Sequence, residues 1–116
     1  MAHLSKRSFS APDDVMRTTN SRTDIIRLGG RTVAMITFEP GWRWSKDVKP
    51  MVGTDSCMRH HYGYAISGRL RTRMDDGTEM EWGPGDMVDT PPGHDGWVVG
   101  NEPVVFLDFG DPCNCG

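Results

Sequence analysis

Gly85-Asp86-Met87-Val88-Asp89-Thr90-Pro91-Pro92-Gly93 is the stretch that decides the reading of this chain. A Gly-Asp turn opens it, Met87 to Thr90 fit a short strand, and Pro91-Pro92-Gly93 ends it. Proline cannot donate to a strand ladder, and glycine tolerates the backbone of a tight turn. Working towards the N-terminus, Asp76-Gly77 lies between two alternating segments, a strong hairpin signal because glycine supplies positive φ. Before it, His61 to Met74 holds two apolar–polar stretches divided by Ser67-Gly68. Thr78 to Trp82 reads as the return strand.

The rest of the chain follows the same punctuation. Ile25 to Leu28 is a short apolar strand broken by Gly29-Gly30. Arg31 to Glu39 is apolar on both faces, which predicts a strand buried on both sides. Trp42-Arg43-Trp44 alternates aromatic, basic and aromatic, placing both indoles on one face of a strand. Lys46 to Arg59 reads as a long loop, with turn formers Pro50, Gly53, Thr54, Asp55 and Ser56. Trp97 to Val99 and Val104 to Phe109 are the last strands. Short strands at regular spacing, with no sustained helical period, predict an all-β sandwich or barrel and almost no helix. Residues 1–23 are polar and read as an N-terminal arm with a short strand near Asp14 to Arg17. Residues 24–110 form the barrel, and 111–116 a tail.

Composition agrees. The 116 residues include 14 Gly and 8 Pro, well above an average share of roughly 12%. Mean hydropathy is -0.52, and no run approaches the ~18 apolar residues of a membrane span. The net charge is -3. The densest basic series, Arg69, Arg71 and Arg73, is followed at once by Asp75, Asp76, Glu79 and Glu81, so no uncompensated basic face for nucleic acid is expected. The N-terminus lacks the apolar segment of a secretory signal. Three Cys is an odd count for a disulfide framework, so a cytoplasmic protein with reduced thiols is expected.

Residues 85–93 resemble the second motif of the cupins, and Ile66-Ser67-Gly68-Arg69-Leu70 resembles the end of their first. The resemblance spans Pro40 to Phe109. The runs from Glu39 to Ser45 and from Pro91 to Val99 are similar to a group of small bacterial single-domain cupins. The resemblance implies a double-stranded β-helix, or jelly-roll barrel, often a homodimer. It also implies one divalent metal (Fe, Mn, Ni, Cu or Zn), held by a His-x-His pair, a Glu and a later His. This chain departs from that ligand set. His61 stands where the Glu belongs, counting back seven residues from Gly68. The His-x-His positions fall on Asp47 and Lys49 counting forward from Gly41, or on Asp55 and Cys57 counting back from His61. Gly96 takes the place of the last His, with His94 two residues earlier.

His61 and His94 are therefore the candidate catalytic residues and, with Cys57, the candidate metal ligands. His61 begins the strand expected to face the lumen with Gly63, Ala65 and Ser67, a row of small residues that leaves space. The alternative is a His hydrogen-bonded within the barrel. His60 has the opposite parity and faces out, as do Tyr62 and Tyr64, which suit an interface. His94 is expected on a turn at the barrel mouth. Cys57 is a soft ligand as thiolate, or a buried thiol. Trp44, Ser67 and Trp97 are the expected ligand-pocket residues. Arg43 and Lys49 read as solvated surface, and Cys113 and Cys115 as tail. Two functions follow. One is a small-molecule-binding cupin, as an enzyme a metal-dependent lyase, isomerase or dioxygenase acting on a small polar or aromatic acid. The other is a metal-free ligand-sensing or accessory module.

Overall fold

Turn chemistry sets the strand boundaries. The computed structural model describes residues 3–110. Strand β1 (Asp14–Thr18) pairs with β2 (Ser21–Leu28), and β2 with β3 (Arg31–Phe38), all antiparallel. Gly29 and Gly30 join β2 to β3 with φ of 59° and 75°. Positive φ at both central residues is what a type I′ hairpin requires, and glycine adopts it without a Cβ penalty. The polar N-terminal region thus adds a full strand and the start of β2 to the sheet. Strand β3 buries Ala34 and Ile36 but leaves Val33 and Met35 half-buried, so only one of its faces is well covered.

The stretch after β3 departs from expectation. Trp42 to Trp44 is not a strand. Two single-turn helices follow, α1 (Trp44–Asp47) and α2 (Lys49–Val52), in place of the expected loop. The Asp47 carboxylate accepts the backbone N–H of Arg43 at 3.1 Å, tying off an amide left open at the start of α1. Pro50 occupies the first turn of α2, where its missing N–H costs nothing, and Gly53 ends the helix in a left-handed conformation. Both Trp42 and Trp44 are still buried. Arg43 between them is extended and bridges Trp97, so the expected alternation still places both indoles on one side although the stretch is too short for a strand.

Strands β4 (His61–Ser67), β5 (Arg69–Met74), β6 (Glu79–Trp82), β7 (Met87–Thr90), β8 (His94–Val99) and β9 (Val104–Asp108) complete the fold. They form a six-stranded sheet ordered β1-β2-β3-β9-β4-β7 and a three-stranded sheet ordered β6-β5-β8. Both sheets send alternate residues into one core. Ile25, Ala65, Val88 and Phe106 come from the first, Leu70, Trp82 and Val98 from the second. Arg71 pairs with Glu79 across β5 and β6 at 2.6 Å, which compensates the basic series within its own sheet. Strand β8 starts earlier than expected, at His94, so this His lies on a strand and not on the turn before it. Among the described residues no helix is long and apolar enough to cross a membrane. Cys113 and Cys115 lie outside the described residues.

The Gly63–Ala65–Ser67 row does not leave space. A Cβ on Gly63 would lie 1.9 Å from the Leu107 carbonyl oxygen and 2.9 Å from the Phe106 ring. The glycine is required because β9 approaches closely and Phe106 fills the volume above it. Ala65 is fully buried.

Candidate metal centre and ligand cavity

Strand alternation and one stray pair of backbone bonds bring three chemically active side chains together. His61 opens β4 and His94 opens β8, and both side chains reach the interior. Cys57 lies in the connection before β4, yet it pairs with His94 as an isolated antiparallel bridge. The Cys57 N–H donates to the His94 carbonyl at 2.7 Å, and the Cys57 carbonyl accepts from Gly93 at 2.7 Å. This local pairing makes a loop cysteine as well placed as a strand residue. The Cys57 sulfur and one nitrogen of each imidazole all lie within 4.8 Å of one another. Cys57 Sγ is 3.9 Å from His61 Nε2.

Hydrogen bonds outside the trio orient both rings. His61 Nδ1 donates to Asp108 Oδ2 at 2.7 Å. His94 Nδ1 donates to the Pro91 carbonyl at 2.8 Å. A proton held on Nδ1 leaves the lone pair of a neutral imidazole on Nε2. Both rings therefore present Nε2 as the donor atom, and a carboxylate or carbonyl behind each ring is the usual support for a metal-binding His. Four-coordinate zinc has bond lengths of about 2.3 Å to sulfur and 2.0 Å to nitrogen, which separates S and N ligands by roughly 3.5 Å. The residues present fit a small N₂S site for a transition metal.

Electrostatics favour neutral imidazole at His94. Burial and the adjacent His61 charge lower its pKa to about 4, against weaker upward pulls from Pro91, Asp95 and Asp75. Burial pulls the Asp108 carboxyl upward. The His61 hydrogen bond and charge, the Gly110 N–H and Arg59 outweigh it, so its pKa ends below the ordinary value. Asp108 is fully buried, with Arg59 Nη2 at 3.7 Å on its other side.

The trio faces a cavity of about 490 Å³ between the sheets and the α1–α2 connection. Phe38, Trp42, Trp44, Trp82 and Phe106 contribute aromatic rings to a wall that is mostly apolar. Of the expected pocket residues, Trp44 lines it, whereas Ser67 and Trp97 do not. Trp97 has outward parity on β8 and carries the Arg43 guanidinium 4.3 Å from its ring centroid. Ser67 is the last residue of β4, at an irregularity in the pairing with β9. His60 is exposed and pairs with Asp89, with Tyr62 and Tyr64 on the same outer face. Asp108 and Arg59 are not singled out by the sequence. The available signal is a carboxylate at the inward parity of β9, two residues beyond Phe106.

No protein-family model matches the sequence, and neither does any curated protein. Solved structures do. The polyketide cyclase RemF from Streptomyces resistomycificus superposes with a TM-score of 0.65 at 16% identity, covering 91% of this chain and 78% of the cyclase. A mutant of Bacillus subtilis oxalate decarboxylase gives a TM-score of 0.62 at 23% identity over 85% of this chain. This chain spans only 28% of the decarboxylase. KdgF from Halomonas sp. gives 0.56 at 19% identity, covering 82% of each chain. The decarboxylase of B. subtilis contains Mn(II) centres. At these identities the likeness concerns architecture alone: the chain has a jelly-roll fold of the cupin type.

Proposed function

We propose that this chain is a small-molecule-binding barrel with one transition-metal ion held by Cys57, His61 and His94 at the wall of its cavity. The observation that carries the reading is the convergence of these three donor atoms beside an aromatic-lined space of about 490 Å³. Three protein ligands leave a coordination position for an exogenous molecule, the pattern of sites that act on a ligand. Thiolate with two imidazoles is a softer set than the usual cupin ligands and suits Zn, Fe or Cu over Mn. Held by Cys57, His61 and His94, such an ion would supply Lewis-acid polarisation to a bound oxygen. Asp108 holds the His61 ring in place, and the Pro91 carbonyl does the same for His94. The aromatic wall excludes water from the ligand. A reducing cytoplasm would keep the thiolate available, and the exposed Tyr62, Tyr64 and Met87 favour a homodimer, checked by light scattering.

The test is elemental analysis of protein purified without metal-affinity resin. The expected result is one transition-metal ion per chain, lost in Cys57→Ala and His61→Ala and kept in His60→Ala. Protein that stays metal-free after Fe, Cu, Ni, Mn and Zn are offered sinks the metal centre. The barrel then reads as a metal-free ligand-sensing or accessory module.

A further inference from the structure

The charges around the cavity are of one sign. Arg17 and Arg59 line it, and among the described residues no Asp or Glu does. This happens in a chain whose net charge is -3, so the bias does not follow from composition. Arg17 is exposed on β1, at the outer part of the wall. Arg59 is different. Its side chain retains only 13% of its exposure, and its Nε and Nη2 atoms are buried with no hydrogen-bond partner.

Asp108 does not resolve this. It lies 3.7 Å from Arg59 Nη2, close enough for charge attraction but beyond a hydrogen bond. Its oxygens are already engaged by His61 Nδ1 at 2.7 Å, the Gly110 N–H at 2.9 Å and the Tyr62 N–H at 3.4 Å. Arg59 thus lines the cavity as a nearly buried cation; its Nε and Nη2 are closed off, so a ligand in the cavity meets the guanidinium at Nη1. A charge-assisted hydrogen bond from a largely desolvated guanidinium favours an anionic acceptor such as a carboxylate. The same wall carries the aromatic side chains of Trp42, Trp44 and Phe38, which suit a flat hydrophobic body.

We infer that the cavity takes an amphipathic carboxylate, its acid group anchored by Arg59 and its apolar, preferably aromatic, body packed among Trp42, Trp44 and Phe38. This rests on reading the cavity as a small-molecule site, but not on the metal. The entering carboxylate meets the positive charge of the wall at Arg59 Nη1, and Arg59 sets specificity for an acid over its neutral analogue.

Equilibrium dialysis of trans-cinnamate against trans-cinnamamide tests the assignment, since the two probes share shape and differ in charge. Wild-type protein is expected to bind the acid at least about tenfold more tightly, the worth of a charge-assisted pair. Arg59→Gln should bring the two probes close to parity. Because that variant leaves Asp108 without a counter-charge, Arg59→Lys is run beside it. Lysine keeps the charge on a shorter, differently placed headgroup, so it should retain a reduced preference for the acid. Equal binding of the two probes to wild type, binding of neither at millimolar concentration, or an acid preference untouched by both variants overturns the assignment. Repeating the dialysis after EDTA treatment, with metal content measured, separates the two proposals. An acid preference that survives in metal-free protein supports Arg59 whatever becomes of the metal centre. One that disappears with the metal puts the carboxylate on the ion and overturns the role of Arg59.

Discussion

Two histidine–aspartate pairs begin at adjacent residues and have opposite surroundings. His60 pairs with Asp89, with side chains 58% and 63% exposed. His61 pairs with Asp108, with side chains 19% and 0% exposed. The chemistry of the partners is the same. Water screens the first pair, so its contribution is small. The second is desolvated, shares its carboxylate with Arg59, and fixes a ring that faces the cavity. A pair of residue types has no fixed value, because burial decides whether it is a surface decoration or a structural requirement.

The largest test of that contrast is Asp108→Ala beside Asp89→Ala. Removing Asp108 leaves Arg59 buried without its counter-charge and should cost about 3–5 kcal/mol in denaturant unfolding. Removing Asp89 should cost within about 1 kcal/mol. Equal losses would break the comparison. Next comes pH, measured on chelator-treated protein. His94 is held neutral in the fold with a pKa of about 4, against an ordinary 6.5. The unfolded chain therefore binds more protons between these values. Stability should be level above pH 6.5 and fall as pH drops towards 4, by at most about 3 kcal/mol. His94→Asn should remove that slope. Asp108, lowered from 3.8, adds a separate loss only below that pH, as its carboxylate is protonated.

A smaller effect tests the two faces of β4. Gly63→Ala forces a Cβ against the Leu107 carbonyl, so β9 must shift, at about 1–3 kcal/mol. Tyr64→Ser, one residue on and 40% exposed, should change unfolding by no more than about 0.5 kcal/mol. Comparable losses would show that the outer face is covered in solution. The smallest expected effect is that of His60→Ala, which should leave the melting temperature and metal content as in wild type.

Much of the architecture is legible in the sequence because its signals are local. Gly29-Gly30, Asp76-Gly77 and Pro91-Pro92-Gly93 mark turns through their own backbone limits, and the strands between them follow. The parity that sends His61 inward and His60 outward is equally local. The Trp42–Trp44 stretch keeps its alternation through an extended Arg43, but the ladder stops at one bridge to Trp97 because α1 begins at Trp44. The Asp47 carboxylate on the Arg43 N–H marks where the helix takes over. Gly63 misleads, since a glycine that admits a neighbour looks the same in sequence as one that leaves a void.

The sequence by itself determined an all-β chain, the turn positions, and His61 at the start of an inward-facing strand; that His94 opens a strand came from the structure. Only the tertiary structure decided what those histidines meet. His61 finds Asp108 across 47 residues, and His94 finds Cys57 through a bridge to a segment with no strand of its own. Strand periodicity says which way a side chain points. Which side chain it then faces depends on sheet order and register, and these are set by packing of the whole core.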